Sequence, residues 1–413
     1  MKRRLSSLAL TLAMILTLPG CSTQKAAVQA ENLMTGISPS QTVSEPVVST
    51  GPSDFAVRLF QHSAKDGENT LVSPLSVLSA LAMTANGARG DTLTQMEGVL
   101  GMSVGELNKY MAAYRAALPN SETCKLHVAN SIWFRDDPSF SVEQPFLQTN
   151  ADFYGAGVYK SPFDNTTLSD INNWVKENTD GMIPSILDDI APDAVMYLVN
   201  ALAFDAEWMK VYNEHNIYTD SFTQEDGTVQ EAELMRSKER YYLRDEQAQG
   251  FLKLYDNTRY AFAALLPDEG VRVADYVSTL TGEEVETMLK NPSSVTVKAA
   301  IPKFELEYSA DMRTILTEMG MPDAFSGALA NLTGLGHSDL GNIYISRVLH
   351  KTYICVDEKG TKAGASTAVE AVPESAQPEP EEPKTVILDR PFVYMIVDWE
   401  TSLPIFIGTV MEL

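Results

Sequence analysis

Apolar positions recur at helical spacing in DFAVRLFQHSA, where Phe55, Leu59 and Phe60 fall on one stripe and predict an amphipathic helix beginning near Pro52. Ser73-Pro74 reads as a second helix start, because serine caps a first turn and proline is tolerated there. Leu75, Leu78, Leu81 and Ala82 supply its buried stripe. INNWVKENTDGMI (171–183) predicts a helix closed at Gly181 by a left-handed cap, and ADMRTILTEMG (310–320) one ended by Gly320. Other runs have strand lengths: LHVANSIWF (126–134), YLVNALAFDAEWM (197–209) and YAFAALLPDE (260–269), the last ended by Pro267. VTVKAAIPKFELEY (295–308) alternates around Pro302, which predicts an edge or bulged strand because proline cannot donate to a ladder. The C-terminus predicts a hairpin, FVYMIVDW against LPIFIGTVME across ETS. Helices and long strands intermix without βαβ regularity or internal repeat. The pattern is α+β, with one extended core over residues 51–413.

The first twenty residues stand outside this pattern. MKRR is a positive n-region, LSSLALTLAMILTL is an apolar run too short for a membrane span, and Leu18-Pro19-Gly20-Cys21 follows. That ending resembles the bacterial lipobox. It implies a lipoprotein signal over residues 1–20 and a lipid anchor on Cys21, hence a cell-envelope or extracellular location. An ordinary secretory signal with a chance cysteine is the alternative. Residues 22–50 are rich in Ser, Thr, Gln and Pro, so 21–50 is expected to be a flexible tether. Cleavage removes Lys2, Arg3 and Arg4 and takes the formal charge from −24 to −27. No basic run remains, which argues against a nucleic-acid partner. Cys124 and Cys355 are too few for a disulfide framework, and Cys355, inside TYICV, is expected to be a buried small hydrophobe.

No motif for catalysis stands in the chain. It has no Gly-x-Ser-x-Gly, His-Glu-x-x-His, Cys-x-x-Cys or Gly-x-x-x-x-Gly-Lys, and its five histidines lack metal-ligand spacing. A triad assembled from distant segments would leave no such signature. No enzyme activity, cofactor or metal is expected.

The unusual stretch is EKGTKAGASTAVEAVPESAQPEPEEPK, beginning at Glu358 between two apolar segments, 343–356 and 390–399. Its residues sort by parity. Thr361, Ala363, Ala365, Thr367, Val369 and Ala371 are small or apolar, whereas Lys362 and Glu370 fall on the other face with Gly364, Ser366, Ala368 and Val372. No proline occurs before Pro373, so 359–372 can join the middle of a sheet.

In order along the chain, NTLVSPLSVLSALAM, VANSIWF, INNWVKENTDGMI, LVNALAFDAEW, LLPDEG, IPKFELEYSADM, HKTYICVDEKGTKAGAST, RPFVYMIV and PIFIGTV resemble the serpin family over roughly residues 52–413. The resemblance implies a single domain of three β-sheets and eight or nine helices with an exposed reactive-centre loop, about 358–390. It also implies a monomeric suicide-substrate inhibitor that traps a serine protease, or a papain-like cysteine protease, in a covalent 1:1 complex by inserting its cleaved loop into a sheet. A non-inhibitory binding or chaperone-like member is the alternative. By the family's count from hinge Glu358, the reactive bond falls at Glu374-Ser375, which implies a glutamyl-specific target. A shifted register at Ala371-Val372 implies an elastase-like one. Glu358, Gly360, Thr361, Ala363, Gly364, Ala365, Ser366 and Thr367 match the hinge, from which Lys362 departs. Ser73, Ser76, Asn200 and His350 match a polar cluster beneath the opening sheet. Trp208 matches a tryptophan at its top, where Lys303 and Glu358 match a salt-bridged pair.

Overall fold

The computed structural model describes residues 28–41, 51–119, 121–339, 341–361 and 382–413. Among them are nine α-helices and three sheets of seven, nine and two strands. The seven-stranded sheet runs Glu31–Asn32, Gly157–Ser161, Cys124–Arg135, Met196–Glu207, Gly360–Thr361, Arg347–Val356 and Phe304–Asp311. In the nine-stranded sheet, Lys384–Ile387 and Ser293–Pro302 lead to the long Val229–Arg244 strand, and the C-terminal hairpin lies near the far end.

The Met196–Glu207 strand shows why its sequence is apolar on both faces. Leu198, Leu202, Phe204 and Ala206 enter the main core between the layers. Tyr197, Val199 and Ala201 enter a second core with Ile171, Trp174 and Val175 from helix Asn165–Asn178. A strand covered on both sides loses the polar half of its alternation.

Local chemistry sets the helix starts. Ser73 caps Pro74–Ala85, its side chain accepting from the Ser76 amide, with Pro74 in the first turn. The 171–183 expectation is corrected to Asn165–Asn178, because Asp164 forms a capping box with Thr167 shortly after the preceding strand. Gly181 still takes φ 79°, in the turn beyond.

Two further expectations change. The alternating run 295–308 is two strands in two sheets, Ser293–Pro302 and Phe304–Asp311, separated at Lys303. Only the second is an edge strand, and Pro302 simply ends the first. Cys355 is half-buried, and Cys124 is the fully enclosed cysteine; the two form no disulfide.

The stretch expected as a tether is docked over residues 28–41. Glu31–Asn32 pairs with the edge strand Gly157–Ser161, the Gln29 and Ala30 amides donate to the Asp170 carboxylate, and the Ser40 amide donates to Asp152. This strap covers a sheet edge that would otherwise present unpaired backbone groups. Cys21 and residues 1–20, expected as a lipoprotein signal, lie outside the described residues.

Candidate functional site

The seven-stranded sheet is half open at its centre. Arg347–Lys351 pairs in parallel with Tyr197–Ala201. Beyond that the strands diverge. At the far end Gly360–Thr361 sits between them, Gly360 opposite Glu207, and Thr361 opposite Ala206 on one side and Val356 on the other. Leu202–Asp205 and Thr352–Cys355, each laddered on its outer side to Cys124–Arg135 or Phe304–Asp311, consequently face each other across a slit that no described strand bridges.

The hinge is fitted closely at this upper end. A Cβ on Gly360 would stand 2.0 Å from the Ala206 carbonyl oxygen, so only glycine follows that path. Thr361 is 2% exposed, and its hydroxyl shares a hydrogen bond with the Tyr255 hydroxyl. The Tyr255 ring stacks on Trp208 at 4.5 Å. Trp208 holds the approach to the hinge: its indole N–H donates to the Asp357 carbonyl at 2.9 Å and its amide to the Lys359 carbonyl at 2.8 Å. The Tyr212 amide donates to the Glu358 carbonyl, and the Asp357 carboxylate accepts from the Lys359 and Gly360 amides.

Lys303 and Glu358, distant in sequence, meet at 3.0 Å, with Glu233 also 3.4 Å from the lysine. A backbone amide first, and then Lys303, hold the Glu358 carboxyl below the usual carboxylate range. Beneath this region Lys253 is buried. Its ammonium is 3.1 Å from Glu239, donates to the Lys210 carbonyl, and lies over the Tyr212 ring at 4.2 Å.

Ser73, Ser76, Asn200 and His350 converge at the other end of the slit. His350 and Asn200 are direct partners in the parallel ladder. The His350 Nε2 accepts from the Ser73 amide at 3.1 Å, so its proton is on Nδ1, 3.1 Å from the Asn200 amide oxygen. The Asn200 amide nitrogen donates to the Asn130 side-chain oxygen at 2.8 Å and to the Ser76 carbonyl, and the Ser76 hydroxyl donates to Asn200. Burial with no compensating carboxylate pushes the His350 pKa down to about 3, so the ring is neutral at physiological pH.

Ala363, Gly364, Ala365, Ser366, Thr367, Ala371, Val372, Glu374 and Ser375 lie outside the described residues. Sequence reasoning missed Tyr255, Tyr212, Asp357, Asn130 and Lys253. Lys253 had a signal, a lone charge in the apolar run GFLKLY. Tyr255 had none, because its role depends on what it stacks against.

A half-open mixed sheet with a loop segment started between its central strands defines the fold class. The sequence profile described as Serpin (serine protease inhibitor) matches residues 50–413. The chain belongs to the serpin family, which includes protease inhibitors and also non-inhibitory members. It is 30% identical to an uncharacterized serpin-like protein of Thermococcus kodakarensis, over 89% of this chain and 86% of that one. The structure superposes on the thermophilic serpin tengpin in its native state with TM-score 0.87, at 49% identity, covering 94% of this chain and all of tengpin. Against latent-state tengpin the TM-score is 0.78, at 45% identity over 90% of this chain and all of tengpin.

Proposed function

We propose that this chain is an irreversible, suicide-substrate inhibitor of serine proteases. The observation that carries this reading is Thr361, seated in register between Ala206 and Val356 above a slit that no described strand fills. Continued past Thr361, that antiparallel register would set Ala363, Ala365 and Thr367 beside Phe204, Leu202 and Asn200, on the main-core face. The small, apolar parity class of the loop is therefore the one that would face the main core.

Attack by the protease serine on the carbonyl of Glu374 breaks the bond to Ser375, releases that amine and leaves an ester between the two proteins. The freed segment then zips down the slit, displacing the Arg347–Lys351 pairing and carrying the protease with it. Each backbone hydrogen bond gained contributes about 0.5–1.5 kcal/mol net, so about ten residues between two strands gain on the order of 10 kcal/mol. The half-open fold is held short of that state kinetically. His350 and Asn200 act as the clasp, because insertion must part them. The shifted register at Ala371-Val372 would direct the same mechanism at elastase-like enzymes. Export and a lipid anchor at Cys21 would place the inhibitor at the cell envelope.

Incubation with an elastase-like and a glutamyl-specific protease tests the reading. An SDS-stable 1:1 adduct is expected, with the released C-terminal fragment beginning at Ser375 or Val372. Clean loop cleavage without an adduct would favour the non-inhibitory alternative.

A further inference from the structure

Along the Val229–Arg244 strand, Arg236, Lys238 and Arg240 alternate and share one face, and all three are exposed. Lys298 on the neighbouring strand stands directly opposite Lys238 in the antiparallel register and is also exposed. Lys384 opens the Lys384–Ile387 strand beside Val297, and its ammonium lies 5.8 Å from the Tyr242 ring. Arg236 meets Asp220 at 3.1 Å. Lys238, Arg240, Lys298 and Lys384 make no ion pair among the described residues.

Two lysines directly opposite each other on a sheet repel, and such pairs destabilise. The chain has 31 Lys and Arg against 55 Asp and Glu, yet no carboxylate among the described residues bridges them. Stability gives no reason for the arrangement; location does. The Lys384–Ile387 strand is where the chain returns to the sheet after the loop, so this face adjoins whatever holds the loop.

We propose that this basic face is an accessory docking surface for an acidic patch on the protease engaged at the loop. The proposal rests on the inhibitory reading for the identity of its partner. Exposed Glu231 and Glu233 occupy the same strand a few residues away. By the same alternation they point to the opposite face from Arg236, Lys238 and Arg240, so a partner seated on the basic face does not meet them. At physiological ionic strength charges more than about 8 Å away are largely screened. The partner therefore responds to the local cations and not to the net charge of −24.

Two elastase-type proteases of matched cleavage preference, one acidic and one basic, serve as probes. The reading is the second-order rate at which intact chain disappears, which is defined whether the product is an adduct or a clipped loop. Failure to inhibit would show separately, as a missing adduct. For the acidic protease at low ionic strength, K238E/K298E should be about tenfold slower than wild type, a gap that closes near 0.5 M salt. The rate with the basic protease should not fall. The single variant K238E sets a carboxylate opposite Lys298 as an attractive pair, so it should melt no lower than wild type while still slowing the acidic protease. Equal rates for wild type and double variant with the acidic protease overturn the proposal. So would binding of dextran sulfate that is lost in the double variant with protease rates unchanged, which would reassign the face to polyanions.

Discussion

Thr361→Arg places the sharpest demand on the inserted hinge. Thr361 is 2% exposed, flanked by Ala206 and Val356 and hydrogen-bonded to a tyrosine that is itself fully buried. An arginine there must either bury a guanidinium or hold the hinge out of the slit. Desolvating an unpaired charge costs several kcal/mol in real proteins. If about 3–4 kcal/mol of that enters the barrier to insertion, the step slows about 10²–10³-fold, at about 1.4 kcal/mol per factor of ten. Hydrolysis of the acyl-enzyme then overtakes insertion, and the inhibitor becomes a substrate. Thr361→Val is the control. It loses one hydroxyl hydrogen bond, about 1 kcal/mol, and should still inhibit. Titrating residual protease activity against inhibitor concentration gives the stoichiometry, and SDS gels give the fraction of adduct. An arginine variant with wild-type stoichiometry would refute the claim that the Thr361 face enters the main core.

Other perturbations probe separate parts of the molecule. His350 has its folded pKa lowered to about 3, so the unfolded chain, near 6.5, takes up the proton first. Stability is therefore full above about pH 6.5 and falls as pH drops towards 3, by about 2 kcal/mol at pH 5; urea midpoints of wild type should shift accordingly, and those of His350→Gln should shift less. The Lys303–Glu358 pair has side chains 27% and 37% exposed, so Lys303→Ala should cost under about 1 kcal/mol in the same assay. Asp398 is fully buried with Arg259 at 2.6 Å, and Asp398→Ala should destabilise by about 3–5 kcal/mol because it strands the guanidinium. Cys21→Ser should release the protein from membrane fractions; continued retention would count against the lipid anchor.

The sequence made the long strands legible because burial on both faces leaves uninterrupted apolar runs, as at 196–207. It made the meeting of Lys303 with Glu358 and of Ser73 with His350 legible only through family resemblance, since each pair joins segments far apart in the chain. The misreading of 295–308 has a physical cause. Its period-two alternation continues through Pro302 while the chain passes from one sheet to another, and alternation reports strand geometry without reporting which sheet receives it. The strap at 28–41 was missed because its docking rests on backbone amides meeting Asp170 and Asp152, and backbone donors carry no residue signature. The basic face was missed for a similar reason: its cations come from three strands and never form a run.

Because the first rung is already occupied, the remaining travel of the loop is a count. Thr361 stands opposite Ala206 and the strand begins at Met196, so on the proposed mechanism residues 362–371 would fill the ten rungs left. Glu370 would then stop between Tyr197 and Arg347, where it would compete with Asp189 for the guanidinium. A protease esterified to Ala371 would be drawn hard against the bottom of the molecule, whereas one esterified to Glu374 would hang on a leash of three residues. The two candidate bonds thus differ in how tightly the captive is pressed, and crush and slack are distinguishable by how readily its own backbone is digested by a third protease.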